Sequence, residues 1–448
     1  MIKTLGAKPN KTTSAVLLII AVVILLLPFH AFLTVWFASN FGHYTAARLW
    51  KEGLISIAGL IVIYWLFSDK KILKAIFKEK LTWLIFAYLA LDLITALVVF
   101  LRHSVSGKAM AYGLLDDLRF LAMFIICWAA ALKSKRLSQY WQQLILWPAV
   151  IVVLFGLLQM SVLPKDVLAH FGYWKKTIVP FETINGNMHF IRIISTLRGA
   201  DPLGAYLILP ISALAVIILD YLKKRVVKWW SIIFILGAFI VLFGSFSRAA
   251  WIGAVLSILC ILYALIPPLW FKKHLKTLTI GGISLAVVLI AGFTLMLSNT
   301  SFQNIILHTQ TGSKAPISSN AAHLKALKKG LKTIFKQPLG QGPGTSGPPS
   351  VYNHYAKPRI AEDYFLTIGE ESGWIGMLLF ICINVVLGWL LWQRRSSPFA
   401  LTLFASLVGL TFVNLLSIGW SDDTICYIWW GLAGLFIGSN EVQLKSKG

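Results

Sequence analysis

Long apolar runs alternate with short, lysine-rich breaks along nearly the whole chain. A helix needs roughly 20 apolar residues to cross the hydrocarbon core of a bilayer. Twelve such segments are predicted, at about 13–36, 52–68, 81–101, 113–132, 141–163, 203–221, 229–244, 248–270, 277–298, 363–393, 397–420 and 423–439. The second is short. The tenth is long and is expected to begin outside the bilayer. The first is not followed by a small-x-small cleavage signature, so it is expected to be a retained helix and not a signal peptide. Two breaks are much longer than the others, at about 164–202 and 299–362. Loops of that length in a compact protein are usually functional or disordered. No internal repeat or separate soluble domain is visible, so residues 1–448 are expected to form one integral membrane domain.

Composition supports the pattern. Hydrophobic residues make up 58% of the 448 and charged residues only 13%, against about 45–50% and about 25% in soluble domains. This excludes a soluble enzyme, a disordered chain and a disulfide scaffold, and leaves an all-α polytopic membrane protein. Cys127, Cys260, Cys382 and Cys426 all sit in apolar runs, without metal-ligand spacing, and are expected to be buried apolar side chains.

The net charge of +24 would suggest nucleic acid in a soluble protein. Its placement gives another meaning. With the N-terminus set inside, the cytoplasmic breaks hold 22 Lys and Arg, whereas the short outer loops hold only Arg48, Lys51, Arg102, Lys108 and Arg248. Positive charge is retained on the cytoplasmic side, so both termini are expected inside and both long loops outside. Membrane lipids are then expected partners and nucleic acid is not. The outer loops carry most of the remaining basic residues. Within the second, Leu324, Leu327, Leu331, Ile334 and Phe335 fall on one helical face, while Lys325, Lys328, Lys329, Lys332 and Lys336 fall mostly on the other. This predicts a basic amphipathic helix over about 320–337, capped by Ser318 or Ser319 and suited to the headgroup region. Attraction to anionic lipid and a catalytic role for its lysines are equally open. Pro338 ends the helix, and Leu-Gly-Gln-Gly-Pro-Gly (339–344) follows as a close-approach turn. No strand precedes it and no Lys-Ser/Thr ends it, so it is a poor P-loop.

Three outer clusters are candidates for chemistry. Arg192 and Arg198 precede the sixth span. Arg248 sits in a loop only a few residues long, so its guanidinium lies at the interface, where exposure to hydrocarbon would cost at least about 2.5 kcal/mol. It either snorkels, pairs with a structural acid, or clamps a phosphate through two parallel hydrogen bonds. Glu362 and Asp363 stand at the head of the tenth span, where acids cap helices or move protons. Glu370 and Glu371 lie two turns further on, in or near the membrane, and each needs a partner. His189, His308, His323 and His354 show no metal-ligand spacing and read as solvated loop residues, with His323 a supporting candidate. Tyr364 follows the acid pair.

The run Ser195-Thr-Leu-Arg198-Gly-Ala-Asp201-Pro-Leu-Gly204-Ala-Tyr206-Leu, then Ser247-Arg248-Ala-Ala-Trp251-Ile-Gly253, then Pro338-Leu-Gly340-Gln-Gly342-Pro-Gly344 with Glu362-Asp-Tyr-Phe-Leu and Glu371-Ser-Gly373, resembles the three blocks of the bacterial O-antigen ligase and polymerase family. The resemblance covers about residues 190–380. It implies a twelve-helix fold of the GT-C-like glycosyltransferase kind in the bacterial plasma (inner) membrane. It further implies a glycan donor on a polyprenyl pyrophosphate, a glycan or lipid acceptor, and inverting transfer outside the cytoplasm with no metal or other cofactor. Arg248 matches the family's Ser-Arg-x-Ala-Trp arginine, and Arg192 or Arg198 would add a second grip on pyrophosphate. Glu362 would act as base, supported by Asp363, Tyr364, Glu371 and His323. The ligases carry His-Asn where this chain has Glu362-Asp363, so a polymerase or a transferase to another acceptor fits at least as well. The alternative is a transporter or flippase for an anionic lipid-linked glycan, using the same arginines without chemistry.

Overall fold

The structure, a computed structural model, describes residues 10–184, 186–265, 296 and 319–444. Its helices in chain order are α1 (Lys11–Leu26), α2 (His30–Phe41), α3 (Tyr44–Arg48), α4 (Trp50–Ser68), α5 (Lys70–Lys78), α6 (Lys80–Leu101), α7 (Gly107–Lys133), α8 (Arg136–Gln139) and α9 (Trp141–Ser161). A hairpin of β1 (Glu182–Ile184) and β2 (Asn187–Arg192) follows. Then come α10 (Ala200–Lys223), α11 (Trp229–Gly244), α12 (Arg248–Leu265), α13 (Ser319–Lys336), α14 (Tyr364–Gln393), α15 (Pro398–Asn414) and α16 (Asp423–Leu444).

Seven helical stretches are long and apolar enough to cross a membrane: α1 through α2, α4, α6, α9, α10, α12 and α14. The shorter α11 and α15 are also apolar. The expected span at 277–298 lies outside the described residues except for Met296, as do His308 and Ser318. The segment expected at 397–420 is a shorter helix. Asn414 ends it by folding back, its Oδ1 accepting from the Trp420 N–H at 2.8 Å. The break around 164–202 also carries the β1–β2 hairpin, which pairs Glu182 with Arg192 and Thr183 with Ile191.

The central helix is α10, buried continuously from Leu203 to Ile217. Next to the core, α7 and α16 run together closely enough to need glycine. A side chain's first carbon at Gly434 would sit 2.2 Å from the Phe124 carbonyl, and at Gly438 2.4 Å from that of Trp128. Small residues permit such backbone contact where lipid supplies no hydrophobic drive between helices. The periphery exposes Leu60, Tyr64, Phe67, Trp147 and Ile233, as a lipid-facing surface requires.

The connections at one end interlock. Ser106 Oγ donates to the Tyr352 carbonyl at 2.6 Å, Arg192 reaches Ser245, Arg198 reaches Asp422 and Arg248 reaches Asn320. The opposite end is held by Lys133–Asp69 at 3.3 Å and by Ser138 donating to the Leu435 carbonyl. The candidate residues all belong to the first end.

Candidate active site

The hairpin delivers Arg192 to the turn between α11 and α12. The Ile193 N–H bonds the Gly244 carbonyl at 3.1 Å, and Arg192 Nε donates to the Ser245 carbonyl at 2.9 Å. The guanidinium then meets Asp201 Oδ1 at 2.6 Å and Glu182 Oε2 at 3.4 Å. Asp201, in the first turn of α10, also accepts from the Ser247 hydroxyl. The next residue, Arg248, opens α12. It lies within electrostatic reach of Arg192 and Asp201 and donates to Asn320 Oδ1 at 2.9 Å. Two guanidinium groups are thus spaced by one carboxylate. Burial pushes the Glu182 carboxyl above its ordinary range, against the pull of Arg192.

Asn320 and His323 share the first turns of α13. His323 Nδ1 lies in hydrogen-bonding contact with Glu362 Oε2. Glu362 has a left-handed backbone, with φ of 57°, which a non-glycine residue adopts only under local constraint. Phe246, two residues before Arg248, and Ser195, three before Arg198, are left-handed as well. Asp363 caps α14, its Oδ1 accepting from the Leu366 N–H at 2.9 Å. Burial pushes its carboxyl up to about 6, against the pull of the Leu366 and Phe365 N–H groups. Tyr364 is fully buried with its ring edge-on to Phe380.

The glycine-rich segment after α13 straps itself to the first turns of α14. Gln341 N–H bonds the Glu370 carbonyl and Gly342 N–H the Glu371 carbonyl, at 2.9 and 2.8 Å. Glu371 Oε1 accepts from the Gly344 and Ser346 N–H groups at 2.8 and 3.0 Å. Glu370 accepts from the Ser346 hydroxyl at 2.6 Å and pairs with Arg359 at 3.3 Å. Only glycine fits the approach. A side chain's first carbon at Gly340 would lie 2.2 Å from the Glu371 carbonyl, and Gly340, Gly344 and Gly373 all have positive φ. Glu371 also lies against Asp117 on α7. Its polar partners therefore hold the strap.

Arg198 joins a different group. Its Nε donates to Asp422 Oδ2 at 2.7 Å. The adjacent Asp423 receives Lys51 at 2.9 Å, His30 at 3.5 Å and Arg119. Arg119 also pairs with Asp116 on its own helix. Glu182 is within electrostatic reach of both Arg192 and Arg198, so the two groups are neighbours. The Asp422-Asp423 pair was readable in the sequence as two acids between apolar runs, a rare placement that calls for partners. Nothing in the sequence pairs Asn320 or Glu182 with an arginine.

An apolar cavity of about 870 Å³ opens beside Asp363. Phe365 and Leu366 line it near this end, and Trp389 and Trp392 line it at the far end of α14. At about 1.5 Å per residue, the 30 residues of α14, kinked at Gly373, reach at most about 45 Å, enough for a bilayer core of about 30 Å.

Comparison with curated proteins finds no match. The family model described as O-antigen ligase matches residues 233–381, from within α11 to within α14. That stretch contains Arg248, Asn320, His323, Glu362 and the glycine strap, while Arg192, Arg198 and Asp201 lie upstream of it. The chain is a helical membrane protein that carries an O-antigen ligase family region over residues 233–381.

Proposed function

We propose that the chain is a glycosyltransferase of the O-antigen ligase or polymerase type. It would take a glycan from a polyprenyl pyrophosphate and join it to an acceptor hydroxyl, outside the cytoplasm, at the bacterial plasma membrane. The observation that carries this reading is one convergence. Arg192, Arg248, the His323–Glu362 pair and the Asp363 end of the apolar cavity lie on connected elements at one end of the bundle.

The chemistry follows from those groups. The prenyl chain occupies the apolar cavity, and the pyrophosphate meets Arg248 and Arg192. The acceptor oxygen attacks the anomeric carbon while the bond to pyrophosphate oxygen breaks, which inverts the centre. Negative charge grows on the leaving pyrophosphate, and two fixed guanidinium groups stabilise it more than they stabilise the bound donor. The hydroxyl proton passes to the His323–Glu362 pair. With Nδ1 held by Glu362, His323 presents Nε2 as the acceptor, and the carboxylate stabilises the imidazolium that forms. This assigns Glu362 the role of orienting the base through His323.

The test uses purified protein in lipid discs with a polyprenyl-pyrophosphate glycan and an acceptor. Free polyprenyl pyrophosphate and elongated acceptor should appear together. Arg248→Ala should lower turnover about 10²–10³-fold, the range for losing one preorganised donor. Full turnover in that variant overturns the clamp. Donor that crosses the bilayer intact would point to transport.

A further inference from the structure

Arg198 stands between two small polar cavities that the transfer chemistry above does not use. One, of about 130 Å³, is lined by Glu52, Tyr112, Asp116, Arg119 and Tyr352. The other, of about 300 Å³, is lined by His30, Tyr44, Thr177, Asp422 and Asp423. Arg48 and Arg198 line both, so the two adjoin across these side chains as one divided cleft. Its size lies in the lower part of the ~300–1,000 Å³ range of small-ligand sites.

The walls have a specific character. Arg48, Arg119 and Arg198 line it together with Glu52, Asp116, Asp422 and Asp423, and Lys51, fully buried behind this wall, pairs with Glu52 and Asp423. Charge is balanced at the scale of a single side chain, so neither a polyanion nor a cation is favoured. What remains is a dense set of planar donors and acceptors. Several retain capacity. The Arg198 side chain is 42% exposed with a single carboxylate partner. Among the described residues the Arg48 guanidinium makes no ion pair. Arg119 Nε is buried and lacks a hydrogen-bond acceptor among the described residues. Aromatic rings complete the rim. Tyr112 and Tyr352 are stacked with centroids 4.9 Å apart, and Tyr44 is exposed.

Paired hydroxyls match carboxylate and guanidinium edges, and the C–H face of a pyranose packs on an aromatic ring. We infer that this cleft is a subsite for uncharged sugar units of a glycan, separate from the pyrophosphate grip at Arg192 and Arg248. It rests on the transfer reading only for its place in the reaction. The sugar could belong to the donor or to the acceptor, and kinetics distinguish them.

Saturation-transfer NMR on the purified full chain, with a panel of neutral methyl hexosides and N-acetylhexosamines, tests the site directly. At least one sugar should bind. The signal should fall at least fivefold in Arg48→Gln and in Tyr112→Ala, each checked for an unchanged thermal midpoint, and persist in Arg248→Ala. Inorganic pyrophosphate should not displace it. Absence of any bound sugar, displacement by pyrophosphate, or full binding in both cleft variants overturns the inference. In the transfer assay, Arg48→Gln should raise KM for the one substrate that owns the sugar, with kcat within about twofold. A loss of kcat with both KM values unchanged overturns it. Sugar binding that depends on Arg48 in a chain without transferase activity would leave the subsite standing and remove the transfer reading.

Discussion

Asp423 holds more buried charge than any other acid near the cleft, and Asp423→Asn measures how much. Its carboxylate faces Lys51, which is completely buried, and Arg119, whose side chain is 5% exposed. His30 approaches the same oxygen as Lys51. Asparagine preserves the shape and removes the charge. Breaking a buried ion pair by removing one partner costs about 3–5 kcal/mol, because the other charge is left uncompensated. Here Lys51 keeps Glu52 at 2.9 Å and Arg119 keeps Asp116, which places the expected loss at the lower end, about 3 kcal/mol. That is a large part of a typical folding free energy of about 5–15 kcal/mol. Reversible unfolding in mixed detergent micelles, followed by tryptophan emission, reads the change. Trp420, Trp429 and Trp430 are packed against one another within seven residues of Asp423. Adding Lys51→Met to Asp423→Asn should recover at least about 1 kcal/mol, since it removes one of the stranded charges. A loss below about 1 kcal/mol, or a double variant as unstable as the sum of the singles, would refute the argument.

Two further outcomes follow from local geometry. The Asp363 carboxyl is raised to about 6 in the folded chain from 3.8, so the folded form takes up its proton first. Its ionised form therefore opposes folding above that range, and stability should rise as pH falls from about 6 to about 4. The full effect is at most about 3 kcal/mol. The difference in thermal midpoint between wild type and Asp363→Asn, followed over pH, isolates this group, and a difference independent of pH would reject it. Gly344→Ala places a carbon 2.3 Å from the Ala109 carbonyl at a φ of 85°. It should lower stability by about 2 kcal/mol or more and should reduce the melting temperature and the transfer rate together. A variant with the wild-type midpoint would show that the strap is not tightly docked.

The spans were legible because burial in lipid requires unbroken apolar runs, and those runs are local. The helices α6, α11 and α14 begin and end within a residue or so of the segments expected at 81–101, 229–244 and 363–393. Other features depend on contacts between distant residues. Arg198 and Asp422 are 224 positions apart, and no local pattern joins them. Grouping Arg198 with Arg192 was natural in the sequence, six residues apart, yet Ser195 turns the chain between them and each finds its own acid. His323 read as a solvated loop histidine, because its spacing carries no signal and its partner Glu362 comes from another element. The hairpin was invisible for a similar reason. β1 is three residues long and its register shifts at Thr183/Ile184, so the two-residue alternation of a strand never becomes established.

The placement of buried charge bears on the choice between chemistry and passage. Among the described residues, the buried Lys51, Asp363, Glu370, Glu371, Asp422 and Asp423 belong to elements at the end that carries the candidate site, whereas Asp92, Asp117 and Arg119 lie near the middle of α6 and α7 and are met there by Ser372, Glu371 and Asp423. Toward the other end, α7 continues through Phe120, Phe124 and Trp128, and α16 through Ile425, Ile428 and Leu435, all buried. The polar groups buried there are serines, threonines and an asparagine bonded largely to nearby carbonyls. An alternating-access carrier needs polar groups at the midplane and a route that opens to each side in turn. A transferase needs the reverse: costly charges fixed at one face, and an apolar volume that holds a lipid tail and leads nowhere. On the proposed transfer reading, the mid-helix charges are fixed structure, each held by a partner, and the apolar cavity along α14 is the place for the lipid tail. Charge reversal at the opposite end, for example at the exposed Lys224, should therefore leave transfer unchanged, whereas a carrier would respond at both faces.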